Sequence, residues 1–275
     1  MSAAPLTALA RRRARPRPAR SAAGRAWQLA PHVLFITAAL VIWQDVLGRF
    51  FSEDVVSSPA AVGQQIVDWA QDGTIVANLS YTMTALVIGF AIGTALALAT
   101  AIVMSESKLL GRFLEPYIMA TSAIPYTALA PILILWFGLG MAPKIVSGAM
   151  AAYFMVVVNA HTGLRDTDPY LLDLARILKA SRLSRLWKIK IPASLPFVLV
   201  GLRLAVPRAL IAVAVAEFLA SSQGMGYLIV RSSNLLNTAG VLAATILLTA
   251  LVYGLTKLML LVERRVLRWR PEAST

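Results

Sequence analysis

The chain alternates long apolar runs with short polar connections, and the runs have the length of a bilayer crossing. Six stand out, at 30–47, 82–104, 117–139, 145–160, 196–219 and 239–262. A helix rises 1.5 Å per residue, so about 20 apolar residues cross the hydrocarbon core. The pattern predicts an all-α integral membrane fold of about six spans, with the first and fourth somewhat short. Gly89-x-x-x-Gly93 in the second run places two small residues one turn apart, as close-packed membrane helices do. Pro125 and Pro131 in the third run each remove a backbone donor, which predicts a kinked or broken helix.

The segment 163–192, between the fourth and fifth runs, is too polar to span. Its apolar residues Tyr170, Leu171, Leu174, Ile177 and Leu178 fall on one face of a helix, with Asp173, Arg176 and Lys179 on the other side. Asp166 and Asp168 precede that helix, where acidic groups suit its N-terminal dipole. A second short amphipathic piece, 183–191, ends at Pro192. An amphipathic element of this kind anchors on lipid or fits a groove on a partner, and the pattern favours neither.

Composition agrees with a membrane protein. Of 275 residues 58% are hydrophobic and 14% charged, against about 25% charged in soluble domains. There are no cysteines, which excludes disulfides and thiolate metal sites, and the two histidines, His32 and His161, argue against a histidine metal site within one chain. The net charge of +13 has a topological explanation. With the N-terminus inside, the inner pieces carry seven Lys and Arg in 1–29, two in 105–116, seven in 161–195 and four in 263–275. The outer loops carry only Arg49, Lys144 and Arg231. The positive-inside rule then puts both termini in the cytoplasm, with no need for nucleic acid. Residues 1–29 read as a basic, Pro-rich, disordered cytoplasmic tail before an uncleaved first helix. The transmembrane domain follows at 30–262, and a short cytoplasmic tail at 263–275.

The polar segment also carries a resemblance. Permeases of ABC importers share a loop reading Glu-Ala-Ala, three residues, Gly, nine residues, Ile-x-Leu-Pro. This chain has Asp173-Leu174-Ala175, Lys179 at the Gly position, and Ile189-Lys190-Ile191-Pro192, with the spacing kept throughout. Further matches are Ser58-Pro59-Ala-Ala-Val62, Ala123-Ile-Pro125, Ala130-Pro131 through Gly140, Gly163-Leu-Arg165, Gly201-Leu-Arg203, Ala216-Glu217 and Gly224-Met-Gly226-Tyr227. From about Ser58 to Arg268 the chain resembles the nitrate/sulfonate/taurine branch of the binding-protein-dependent permeases.

The resemblance implies a type I importer fold of the bacterial cytoplasmic membrane. It also implies an ATPase subunit docked on the loop through Asp173, Leu174, Ala175, Leu178, Lys179, Ile189 and Pro192. A periplasmic or extracellular binding protein, membrane lipid and a second copy of the chain complete the expected partners. The sequence contains no Gly-x-x-x-x-Gly-Lys-[Ser/Thr] phosphate loop, so ATP hydrolysis is expected on the partner; no enzyme activity and no cofactor is expected here. Glycine at position 179 would permit a bend or a close approach. Lysine there either points to solvent or alters the ATPase contact.

Charges inside spans are functional candidates by default. Arg203 lies near the inner end of its span and can snorkel to the interface. Arg208 lies about 18 Å along the helix, Glu217 near its outer end, and the two stand about 13 Å apart along the axis. With Pro125 they form the translocation-pathway set, and a structural role for Arg208 is an equal alternative. A cation in the pathway would suit an anionic solute. Two other functions compete. A secondary transporter or channel would leave the amphipathic loop without a purpose, and no internal repeat is evident. A membrane-embedded enzyme would have to use His161 with Asp166 and Asp168, a grouping more typical of a solvated helix end.

Overall fold

The computed structural model describes residues 57–122 and 125–268, together with positions within 31–47. The early stretch belongs to a separate unit, Met1–Phe51, in which the described residues are helical and close in a π-helical turn at Ile42–Leu47. Most of the expected first span, all of the tail at 1–29 and the chain beyond 268 lie outside the described residues.

Among the described residues of the second unit every regular element is a helix. The first, α1 (Pro59–Gln71), starts where Ser58 Oγ accepts from the Ala61 N–H at 3.2 Å and Pro59 needs no donor. The Ser-Pro pair of the sequence is therefore a helix start. Asp72 closes α1, and its Oδ1 accepts from the Thr74 N–H at 2.8 Å, which holds this exposed carboxyl below its ordinary range. Then α2 (Thr74–Glu106) runs 33 residues, about 50 Å, longer than the hydrocarbon core.

The third apolar run is broken, as its prolines predict. It comprises α3 (Lys108–Ser122), a 3₁₀ turn (Tyr126–Leu129) opened by Pro125, and α4 (Ala130–Phe137), with a 77° bend between the two limbs. Pro131 causes no break. It sits in the first turn of α4, where no intrahelical donor is required.

The remaining spans are α5 (Ala142–Arg165), α8 (Ile191–Ala220) and α10 (Thr238–Val266). Between them lie α6 (Pro169–Ile177), α7 (Arg182–Arg185), a π turn (Leu186–Lys190) and α9 (Met225–Asn234). Among the described residues four helical runs are long and apolar enough to cross a membrane, and the count rises to five where the bent pair is taken as one span.

One expectation fails here. The piece at 183–191 does not end at Pro192, because Arg182–Ala220 is a single helical run of 39 residues. Pro192 lacks an N–H and its ring would crowd the carbonyl four residues back. The π turn absorbs this: Ile191 donates to Leu186 O, one residue further back than in an α-helix.

α5 is the central helix, packed against α2 on one side and α8 on the other. The contact with α2 depends on the glycine pair. A Cβ on Gly89 would meet the Ile145 carbonyl, and one on Gly93 the Ala149 carbonyl. Small residues continue the seam, with Ala97, Ala101, Ala151, Ala152, Ala160, Ala205 and Ala209 buried. Small side chains let backbones approach closely where lipid supplies no hydrophobic drive between helices. The helices alternate in direction, so one end of the bundle gathers 106–108, 165–190 and 263–268. Most of the described Lys and Arg lie there, and we call it the basic end.

Candidate functional site

The basic end holds α6, and its construction is legible residue by residue. Asp168 caps its N-terminus, accepting from the Tyr170 N–H at 2.9 Å. The C-terminus is a Schellman motif: Lys179 N–H donates to Arg176 O at 2.9 Å and Ala180 N–H to Ala175 O at 2.9 Å. That motif needs a left-handed residue, and Lys179 supplies it with φ +55°. Glycine fits this conformation without strain, which gives the family's glycine its physical meaning. The Lys179 side chain is exposed.

The apolar face of α6 points away from the rest of the chain. Tyr170 is 84% exposed, Leu174 54% and Ile177 77%, with Leu171 and Leu178 also exposed, while Ala175 is buried at 5%. Leu183 and Trp187 extend the exposed apolar surface. Asp173 is exposed and pairs with Arg176 at 2.6 Å. Ile189 is half-buried in the π turn, and Pro192 is exposed in the first turn of α8. Of the seven loop residues singled out, only Ala175 packs fully into the protein. A hydrophobic stripe presented outward suits a lipid surface or a groove on a partner.

The opposite end has a different chemistry. Glu217, 1% exposed, receives the Thr82 hydroxyl at 2.8 Å and the Gly226 N–H at 2.8 Å. Thr82 Oγ1 in turn accepts from the Met225 N–H at 2.9 Å, and Asn78 Oδ1 from the Gly224 N–H at 2.8 Å. Three side chains thus capture three consecutive backbone donors at the start of α9. Two of those donors must be glycines. Gly224 has φ +114°, and a Cβ there would collide with the Glu217 carboxyl. A Cβ on Gly226 would collide with the Ala214 carbonyl. The sequence pairs Ala216-Glu217 with Gly224-Met-Gly226 because these elements touch.

Lys144 is a correction. Read from the sequence as an outer-loop charge, it is 1% exposed in the first turn of α5. Its ammonium donates to Gly140 O and to Ala220 O, the latter at 3.1 Å, and lies 5.4 Å from the centre of the Tyr81 ring. It therefore serves one free carbonyl at the C-terminus of α8, Ala220 O, and one in the connection before α5, Gly140 O. A lone lysine in a short polar loop gave no signal of this. Asn78 and Thr82, four residues apart and so on one face of α2, are a local polar pair not singled out from the sequence, and their partner Glu217 is not encoded by that spacing.

The other intramembrane charges sort themselves. Arg203 reaches Glu263 on α10 at 3.1 Å. Arg208 is exposed on α8, and no ion pair of it occurs among the described residues. Pro125 is exposed at the break. His161 and its aspartates form no common site. His161 is buried, Asp166 lies 3.5 Å from Arg165, and Asp168 caps α6.

A broken span, a central helix packed through small residues and an exposed amphipathic helix between two spans describe a multi-span membrane protein with an uncovered surface at one end. Comparison with known proteins names the class more closely. Residues 89–268 match the family model described as binding-protein-dependent transport system inner membrane component. A probable ABC transporter permease protein of Haemophilus influenzae is 36% identical over 80% of this chain and 89% of its own length. A putative aliphatic sulfonates transport permease protein, SsuC of Bacillus subtilis, is 31% identical over 86% of this chain and 87% of its own. Among solved structures, the MetNI methionine ABC transporter in inward-facing form shares the fold, with a TM-score of 0.64 at 16% identity over 72% of this chain and 98% of that one. The chain belongs to the binding-protein-dependent ABC importer permeases, in the branch that includes the sulfonate carriers.

Proposed function

We propose that this permease passes a small anionic solute of the sulfonate class into the cytoplasm, driven by an ATPase subunit seated on α6 and fed by an external binding protein. The observation that carries the reading is the outward apolar face of α6, with Tyr170, Leu174 and Ile177 uncovered. Water would not keep such a stripe at a helix surface, and a groove on a partner would bury it. At ~25 cal/mol per Å² of apolar area, covering a few large side chains supplies several kcal/mol of docking energy. The charge asymmetry supports a cytoplasmic position for α6 and for both termini. Two copies of the chain would enclose the pathway, with Arg208 and the bend at Pro125 facing it.

An anionic solute is supported by Arg208, exposed in mid-span, and by the name of the Bacillus relative. Glu217, buried among hydrogen-bond donors, fits a role in holding the pathway's outer end together. The test is solute uptake into vesicles containing the chain, its ATPase and its binding protein. ATP-dependent accumulation of an alkanesulfonate is expected, lost when either partner is omitted and lowered about tenfold by Arg208→Gln, roughly one charge-assisted contact. Uptake by the chain alone, without ATP, contradicts the reading and makes it a secondary carrier.

A further inference from the structure

Beside the apolar face of α6, the basic end carries a cleft of a different character. Its volume is about 240 Å³, and it opens between α6, α7, the π turn and the junction of α2 with α3. Lys108, Arg176, Arg182, Arg185 and Lys190 line it, against one carboxylate, Glu106. The space far exceeds the ~10–15 Å³ that one water needs, so a phosphate-sized anion fits.

Two of the five cations are already committed. Lys190 Nζ lies 2.7 Å from Glu106 Oε1 and donates to Ser105 O at 3.2 Å, which fixes one wall. Arg176 pairs with Asp173 at 2.6 Å. Among the described residues Lys108, Arg182 and Arg185 make no ion pair. Three unneutralised cations around one concavity repel one another, and an anion between them relieves that repulsion.

We propose that this cleft binds a phosphate group, offered by an anionic phospholipid headgroup or by a soluble phosphate. Arginine matches the chemistry, because its planar fork meets two phosphate oxygens at once. Location matches it too: the cleft lies where α2 ends, α3 begins and the π turn leads into α8, and the excess of Lys and Arg at this end suits the anionic headgroup level. The proposal depends neither on the transported solute nor on the ATPase contact.

The test uses the full chain, purified in detergent and in phosphatidylcholine vesicles with and without phosphatidylglycerol. Phosphatidylglycerol retained through purification, or inorganic phosphate bound in detergent, is read by mass spectrometry and by the thermal midpoint. Arg182→Gln with Arg185→Gln is expected to weaken binding by at least about tenfold, the loss of two charge-assisted contacts. Arg264→Gln with Arg265→Gln, at the same end on α10, is expected to leave binding unchanged. Lys108→Gln serves as a single variant should the double one fold poorly. A response to phosphatidylglycerol alone identifies a lipid site, and a response to phosphate in detergent identifies a soluble ligand; both support the proposal. Equal binding by wild type and variant, or equal loss in the α10 control, overturns it. Absence of any phosphate or phosphatidylglycerol response in the wild type also overturns it.

Discussion

The two ends of this molecule handle polar chemistry in opposite ways. At the Glu217 end, Asn78, Thr82, Glu217 and Lys144 are buried, and each finds hydrogen-bond partners within the chain. At the basic end, Tyr170, Leu174, Ile177, Leu178, Leu183 and Trp187 lie exposed, and Lys108, Arg182 and Arg185 go without ion pairs among the described residues. A buried polar group left unpaired costs about 1–3 kcal/mol, so the first arrangement holds the fold together. The second gains nothing for the isolated chain and only makes sense as surface kept for other molecules. Satisfaction inside the chain marks structure, and its lack marks an interface.

Substitutions sharpen this contrast, beginning with the largest expected effect. Gly226→Ala drives a Cβ into the Ala214 carbonyl, backbone against backbone, with no flexible side chain to yield. A loss on the order of 3 kcal/mol is expected, seen as a lower yield of folded protein and a lower thermal midpoint. Glu217→Ala strands the Gly226 N–H and frees the Thr82 hydroxyl, with an expected cost of about 2 kcal/mol. Glu217→Gln keeps an acceptor for Gly226 and is expected to lose less, so the order of the two midpoints tests whether hydrogen bonding carries the effect. If both variants fold as stably as wild type but transport fails, Glu217 belongs to the pathway and the contrast between the ends breaks.

The smallest effect concerns two residues with the same backbone. Lys179 and Leu236 both have φ +55°, and both close Schellman motifs, at the ends of α6 and α9. Glycine at either position is expected to stabilise the helix end by about 1 kcal/mol, measured by amide hydrogen exchange. Lys179→Gly is expected to leave ATPase co-purification unchanged. A change there, absent for Leu236→Gly, would give the lysine a part in the docking contact.

The sequence made some of this legible and hid the rest for physical reasons. Local patterns read well: the apolar runs, the break at Pro125, the face of α6 and the acidic approach to its N-terminus all depend on near neighbours in the chain. Gly89 and Gly93 were legible as a packing pair, though not with α5 as the partner. Long-range contacts did not read. Lys144 reaches Ala220 across 76 positions and Glu217 reaches Thr82 across 135, and no periodicity encodes such pairs. Pro192 misled as a terminator because a π turn accommodates it. The amphipathic face of α6 was found, but the pattern alone left open whether it anchors on lipid or fits a groove on a partner.

The central claim is that this face receives the ATPase. The chain has no cysteine, so a single one placed at Ile177 reports one location only. Cross-linking in membranes holding the assembled transporter is the most direct measurement. An adduct between Ile177→Cys and a subunit carrying a phosphate-loop sequence is expected, with none from Arg231→Cys on α9 at the opposite end. No adduct from Ile177→Cys, or equal adducts from both positions, would contradict the account.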